Sequence, residues 1–272
     1  MSKGHKRIAD YVLEHYDRAA YMTAAKLGES VGISESTVVR FAYELGFASY
    51  PEFQRKLCSM LRSRLTSVQR IEVSSNQMGK GDIFETVLNS DIEKIRATIS
   101  GSSRESFYRA VDLIAGAKTV YIMGARSAEM LASFLAYYLQ IMLPDVRQLH
   151  AAGTSEQFQR VLHLGSDDVI IGISFPRYSK QTLKIMQYSA KQGAKVIAVT
   201  DSPAAPIAST ADTLLLASSD MVSFADSLVA PLSLVNALIA ALGAQLREQL
   251  SNKLEALERI WDEYDVYERD EN

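Results

Sequence analysis

Apolar positions recur with two different periods along this 272-residue chain, and the change of period divides it. Up to about residue 99 the spacing is helical. Within residues 5–15, Ile8, Tyr11, Val12 and His15 share one helical face. Residues 23–45 read as two helices with Gly32 between them. Ser49-Tyr50-Pro51-Glu52 opens another, with Ser49 as candidate N-cap, Pro51 in the first turn, and Phe53, Leu57 and Leu61 as its apolar stripe. Residues 74–82 (SSNQMGKGD) are polar, carry two glycines and predict a linker. The helical period then resumes over 83–99.

From Arg104 onward, short β-runs alternate with helical stretches. Residues 119–123 (TVYIM), 146–149, 169–173 (VIIGI), 195–200 (KVIAVT) and 213–216 are the predicted strands. Residues 128–141, 155–162 and 179–191 are the helices between them. The strands are almost wholly apolar rather than alternating, which fits a parallel sheet covered on both faces. Such a doubly wound α/β domain takes ligands at the carboxyl ends of its strands. The expected organisation is a helical head (1–73), a linker (74–82), an α/β body (83–250) and a charged C-terminal helix or tail (251–272).

Composition narrows this picture. With 47% hydrophobic and 22% charged residues the chain can bury a sizeable core, which excludes global disorder. A single cysteine, Cys58, excludes an internal disulfide framework and a Cys-based zinc site. The four histidines show no metal-ligand spacing, so neither a metal nor a cofactor is expected. No secretory pattern follows Met1, so a cytoplasmic location is the default. Residues 228–246 lack charge over the length of a membrane span. Pro231, Ser233, Asn236, Gly243 and Gln245 interrupt them, so a buried or oligomer-interface helix is expected and no membrane. The net charge of −3 is uneven: residues 1–72 hold 11 Lys+Arg against 8 Asp+Glu, the rest 18 against 24. A mildly basic head on an acidic body hints at nucleic acid.

Aligned on Gly32 as the turn glycine, residues 24–43 put Leu27, Val31, Ile33, Val38 and Phe41 at the buried positions of a helix-turn-helix. Gly28 falls where the two helices touch, Gly32 suits a left-handed end to the first, and Ser34 is expected to cap the second. The exposed face of the second helix presents Glu35, Ser36, Thr37, Arg40 and Tyr43. Small hydroxyls near a helix N-terminus can approach base edges and phosphates, and Arg40 can reach a guanine or a phosphate. Lys26, Arg55 and Lys56 are placed for flanking phosphates. The expected DNA-binding set is Lys26, Ser34, Ser36, Thr37, Arg40 and Tyr43, with double-stranded operator DNA as partner. A structural hairpin with a polar surface is the bland alternative.

In the body, Gly124-Ala125-Arg126-Ser127 follows the first strand and opens a helix. Ser127 can cap that helix and donate its hydroxyl, and helix N-termini favour anions. The third strand ends in Ser174-Phe175-Pro176-Arg177-Tyr178-Ser179-Lys180, again before a helix, with Ser179 as N-cap. Arg126, Arg177 and Lys180 add positive charge at the same sheet edge, unless they pair with local acids such as Asp201 or Asp220. Gly124, Arg126, Ser127, Ser174, Arg177, Ser179 and Lys180 are the candidate residues for an anionic small ligand. His150 and Thr154 follow the second strand and can lie nearby.

The head resembles the amino-terminal domain of the RpiR/MurR family of bacterial transcription regulators. Ala24-Ala25-Lys26-Leu27, Val31-Gly32-Ile33-Ser34, Ser36-Thr37-Val38-Val39-Arg40-Phe41, Leu45-Gly46-Phe47 and Tyr50-Pro51-Glu52-Phe53 carry the likeness. The α/β part resembles the sugar isomerase (SIS) domain that follows this head in the family. Gly124 and Ser127 match its first turn, Ser174 and Ser179 its second. Ala194, Val199-Thr200-Asp201, Ser209, Ala211-Asp212 and Asp226-Ser227 match further on. The resemblance implies a small all-helical helix-turn-helix domain followed by a flavodoxin-like, doubly wound parallel-sheet SIS domain. It also implies a phosphosugar ligand. Pro176 and Arg177 replace a serine and a glycine of the second turn, and Gln181 stands where isomerases of this fold often use a glutamate. Glutamine cannot act as a general base. The expectation is therefore a regulator without catalytic residues. Its body would sense a phosphorylated sugar or sugar acid, and it would work as a homodimer or homotetramer. The alternative is a phosphosugar isomerase or lyase with an accessory head, for which Glu156 is the available base.

Overall fold

The computed structural model describes residues 2–61, 66, 68–71, 82–150, 153–221 and 223–267. They fall into two compact units: residues 1–83 with 221–225, and residues 84–220 with 226–272. The expected linker, apart from Asp82, lies outside the described residues.

The first unit is helical: α1 (Lys3–Glu14), α2 (Tyr16–Ala19), α3 (Ala24–Val31), α4 (Glu35–Glu44) and α5 (Tyr50–Leu61). Ile8, Val12, Leu27, Val31, Val38, Phe41, Tyr50 and Phe53 form its core. Ile33, expected to be buried, packs half-exposed against that core. On α1 the inward residues are His5, Ile8 and Val12, while His15 ends the helix on the outside. Half-buried Tyr11 packs on the same core, so Ile8, Tyr11 and Val12 line the stripe as the spacing predicts, and His5 joins them in place of His15. Ser49 does start α5, its Oγ accepting from Glu52 N at 3.2 Å. Tyr50 donates its hydroxyl to Met22 O at 2.8 Å. Burial, with a smaller contribution from Cys58, pushes the Tyr50 phenol up to about 12.

The second unit is α6 (Ile83–Gly101), α7 (Arg104–Ala115), β1 (Val120–Gly124), α8 (Ser127–Met142), β2 (Val146–Leu149), α9 (Thr154–Arg160), β3 (Val169–Ile173), α10 (Lys180–Lys191), β4 (Lys195–Thr200), a 3₁₀ turn (Pro206–Thr210), β5 (Thr213–Leu216), α11 (Val229–Gln245) and α12 (Arg247–Glu263). Ile83, the first residue of α6, groups with the first unit. The five strands form one sheet in the order β2-β1-β3-β4-β5, every pair parallel.

Strand alternation sends side chains to both faces. Ile122, Ile171, Ile173 and Val199 join α7, α8 and α11 in one core. Tyr121, Met123, Ile170 and Val196 join α10 and the region after β2 in the other. Both faces are covered, which is why the strands contain so few polar residues. The uncharged segment 228–246 is α11, with Leu234, Val235, Leu238 and Leu242 buried in the first of these cores. Among the described residues no single helix is long and apolar enough to cross a membrane.

Candidate functional site

In the head, the α3–α4 corner is shaped by two glycines. Gly32 ends α3 at φ 69°, the left-handed conformation that glycine adopts without a Cβ penalty. A Cβ on Gly28 would lie 2.6 Å from Ile33 O, so only glycine lets the two helices meet. Arg7 Nη2 donates to Val31 O at 2.6 Å and satisfies a carbonyl at the end of α3. His5 pairs with Glu44 and stacks edge-on against Phe41, tying α1 to the far end of α4. Sequence reasoning missed this clasp, because His5 and Glu44 lie 39 positions apart and neither belongs to a local motif.

Ser34 occupies the N-cap position of α4 but makes no capping bond, contrary to expectation. Its Oγ instead lies 2.9 Å from Thr37 Oγ1 and 3.1 Å from Ser36 Oγ. The three hydroxyls form a cluster at the start of the helix, where competition among side chains replaces the cap. Lys26, Ser36, Arg40 and Tyr43 are exposed, and Thr37 is half-exposed. Arg40 Nε reaches back to Ser36 O at 3.4 Å, so its guanidinium lies along the hydroxyl end of α4. The candidate residues on α4 thus lie along one helix that begins in hydroxyls and carries a cation. The side chain of Arg55 lies outside the described residues, and Lys56 is exposed.

In the body, the order β2-β1-β3 places the topological switch point between β1 and β3. There the connections leave for opposite faces, the place where folds of this kind take their ligands. Gly124 pairs in register with Ile173, so the two candidate turns leave the sheet side by side. The α8 backbone at Ala128 occupies the space a Cβ on Gly124 would need, which lets that helix start hard against the strand. Arg126 holds the N-cap of α8 at φ 60°, ψ −129°, and Arg177 has φ 65°. These are two of the three non-glycine residues with positive φ among the described residues. Both candidate turns therefore hold an arginine in a conformation that costs energy.

Ser127 is the first residue of α8 rather than its cap, and the Arg126 cap position makes no side-chain bond. The second turn is built as expected at its far end: Ser179 Oγ accepts from Thr182 N at 3.1 Å and caps α10. Ser174 is buried, and its Oγ accepts from Ser179 N at 3.1 Å, closing the turn internally. Tyr178 donates to Asp201 Oδ1 at 3.0 Å, tying the turn to the end of β4. Arg126, Ser127, Arg177 and Lys180 are exposed. His150 Nδ1 lies 3.4 Å from Glu129 Oε1 beyond the ends of β2 and β1. The side chain of Thr154 lies outside the described residues. Glu156, the alternative base, accepts from Arg160 at 2.8 Å.

Two family patterns match the chain: "Helix-turn-helix domain, rpiR family" over residues 1–64 and "SIS domain" over residues 113–241. The HTH-type transcriptional regulator HexR of Escherichia coli is 26% identical over 94% of this chain and 90% of its own. The sugar isomerase domain of an RpiR transcription factor from Sphaerobacter thermophilus superposes with a TM-score of 0.63 at 27% identity, over 66% of this chain and 99% of its own. The Vibrio vulnificus NanR protein complexed with ManNAc-6P superposes with a TM-score of 0.60 at 21% identity, over 96% and 94%.

Proposed function

Since the chain belongs to the RpiR family of helix-turn-helix transcriptional regulators with a SIS domain, we propose that its body senses a phosphorylated sugar or sugar acid. Binding would alter the affinity of the head for operator DNA, without turnover of the ligand. The observation that carries the reading is the pairing of Gly124 with Ile173. It sets two helix-opening turns side by side at the switch point, each with an exposed arginine at positive φ. Paired N-termini and guanidinium forks suit phosphate and carboxylate. The ManNAc-6P complex of NanR supports the same ligand class. Gln181 in place of a carboxylate supports binding over catalysis.

The working form is a homodimer whose two heads read a two-fold operator. A ligand shifts DNA affinity only by binding one arrangement of that dimer better than another. Lys26, Ser34, Ser36, Thr37, Arg40 and Tyr43 are assigned to DNA. Gly124, Arg126, Ser127, Ser174, Arg177, Ser179 and Lys180 are assigned to the effector.

A thermal-shift panel of phosphosugars, sugar-acid phosphates and their unphosphorylated counterparts tests the proposal. A ligand at 100 times its dissociation constant stabilises by about 2.7 kcal/mol. The expected result is a phosphate-dependent shift with one member, no product by NMR on prolonged incubation, and a changed affinity for operator DNA. A shift independent of phosphate overturns the ligand class, and product formation overturns the assignment as a sensor.

A further inference from the structure

Helix α6 has its polar and apolar faces arranged against the usual rule for a surface helix. The side turned to the body is polar. Ser102, the residue after the helix, donates its Oγ to Leu216 O at 2.9 Å, Ser218 N donates to Thr98 Oγ1 at 2.9 Å, and Ser227 Oγ donates to Asp91 Oδ1 at 2.6 Å. Lys94, only 4% exposed, donates to Asp91 Oδ1 at 3.1 Å and Ser90 Oγ at 2.7 Å. The adjoining face is apolar and open to solvent: Leu88 is 48% exposed, Ile92 45% and Ile99 70%, with Ile95 half-buried between them. A monomeric helix normally buries such a stripe and exposes its charges.

The spacing of Leu88, Ile92, Ile95 and Ile99 is 4-3-4, the heptad seam of a coiled coil. It is also self-complementary when reversed. In an antiparallel pair Leu88 of one copy lies opposite Ile99 of the other, and Ile92 opposite Ile95. Phe84, itself 71% exposed, continues the stripe and falls opposite Ser103. At that point α6, α7 and α11 leave an apolar groove of about 350 Å³ whose lining includes Ile99, Ser103, Phe107 and Leu234. On the flank, Arg96 and Glu93 pair within one copy, and the same two-fold brings each within two positions of its opposite charge on the other copy. Both side chains are about two-thirds exposed, so the flank is charge-complementary. The stripe offers roughly 400 Å² of apolar surface per copy. Doubled and extended by its charged flanks, that reaches the roughly 1,000 Å² that a specific interface needs.

We infer that α6 is an interaction surface for a second copy of this chain, paired antiparallel across Leu88, Ile92, Ile95 and Ile99. The inference rests on the dimeric part of the proposed function and names its surface. Two measurements on the full-length chain test it. Sedimentation of the wild type should give a dimer, and Ile92→Glu should weaken association at least about 100-fold while keeping the far-UV spectrum. In a Cys58→Ser background, Leu88→Cys combined with Ile99→Cys should form a covalent dimer on oxidation. Each cysteine alone should not, because the two-fold sets like positions about 16 Å apart along the helix axis. A monomeric wild type overturns both the dimer and the surface. A dimer that the paired cysteines fail to cross-link overturns the surface alone, and this holds even if Ile92→Glu does not fold.

Discussion

Replacing Arg126 by glycine and by alanine separates backbone strain from charge at the β1 turn. Arg126 sits at φ 60°, ψ −129°, where only glycine is at ease. Holding another residue in such a region costs about 1–3 kcal/mol. Glycine removes that cost, and its greater freedom in the unfolded chain takes back about 0.5–1 kcal/mol. Arg126→Gly is therefore expected to stabilise the body by about 1 kcal/mol, which raises the unfolding midpoint of a domain this size by about 2–4 °C. Arg126→Ala keeps the strain and should melt close to the wild type. Both variants lose the guanidinium, whose charge-assisted hydrogen bond is worth roughly 1.5–3 kcal/mol, or about ten- to a hundredfold in affinity. Thermal unfolding with and without the phosphosugar hit, followed by titration calorimetry, reads both effects. A glycine variant melting at or below the alanine variant refutes the stored strain. An undiminished ligand shift in both removes Arg126 from the site.

Four further outcomes are expected. Gly28→Ala places a methyl group 2.6 Å from Ile33 O and 3.3 Å from Glu35 N, both immobile backbone atoms. It should cost the head about 1–3 kcal/mol and abolish DNA binding, and an unchanged melt of the head would contradict the close approach. In anisotropy titrations over a range of salt, Lys26→Ala should reduce the slope of log K against log salt by about 1 on every sequence. Arg40→Ala should cost about 1–3 kcal/mol and relax sequence preference, and equal losses on all sequences would reassign Arg40 to phosphate. The Tyr50 phenol is raised to about 12, while in the unfolded chain it ionises near 10. Its contribution is thus complete below about pH 10 and lost as pH rises toward about 12. Tyr50→Phe should flatten that alkaline slope in equilibrium unfolding of the head, at the cost of the hydroxyl bond to Met22 O.

Four of the five strands keep the bounds that periodicity predicts, because a buried parallel strand has almost no polar residue to blur its limits. The first shifts by one residue to Val120–Gly124, since Gly124 still pairs with Ile173. Helix α7 was legible but unread: Phe107, Ala110, Val111 and Ile114 form its stripe, and Ser103 caps it by accepting from Ser106 N. Turn glycines Gly28 and Gly32 were readable because each answers a steric demand that no other residue meets. The positive φ of Arg126 and Arg177 was not. Nothing in local propensity places arginine there, so the conformation is imposed by tertiary structure and leaves no mark in composition. The Ser34 cap failed for the converse reason: propensity favoured it, and neighbouring hydroxyls won the side chain.

The polar anchors of α6 explain why an apolar stripe can stay outside. Left to hydrophobic burial alone, a helix with Leu88, Ile92, Ile95 and Ile99 in one row would roll that row into the body. Rolling it would break the bonds to Leu216 O, Ser218 N and Ser227 Oγ and would cover those body groups with apolar side chains. Each buried polar group left unsatisfied costs about 1–3 kcal/mol, and a charge costs more. Three such groups cost about 3–9 kcal/mol together, against at most about 10 kcal/mol for burying roughly 400 Å² at about 25 cal/mol per Å² with every atom covered, so the anchors offset most of that gain. Replacing such a buried ion pair by apolar residues is often neutral or stabilising in itself. What the Asp91–Lys94 pair contributes is therefore orientation through its bond off the helix, from Ser227 Oγ to Asp91: together with the Thr98 and Ser102 bonds it favours one rotation of α6, and that rotation keeps the seam available to a second chain.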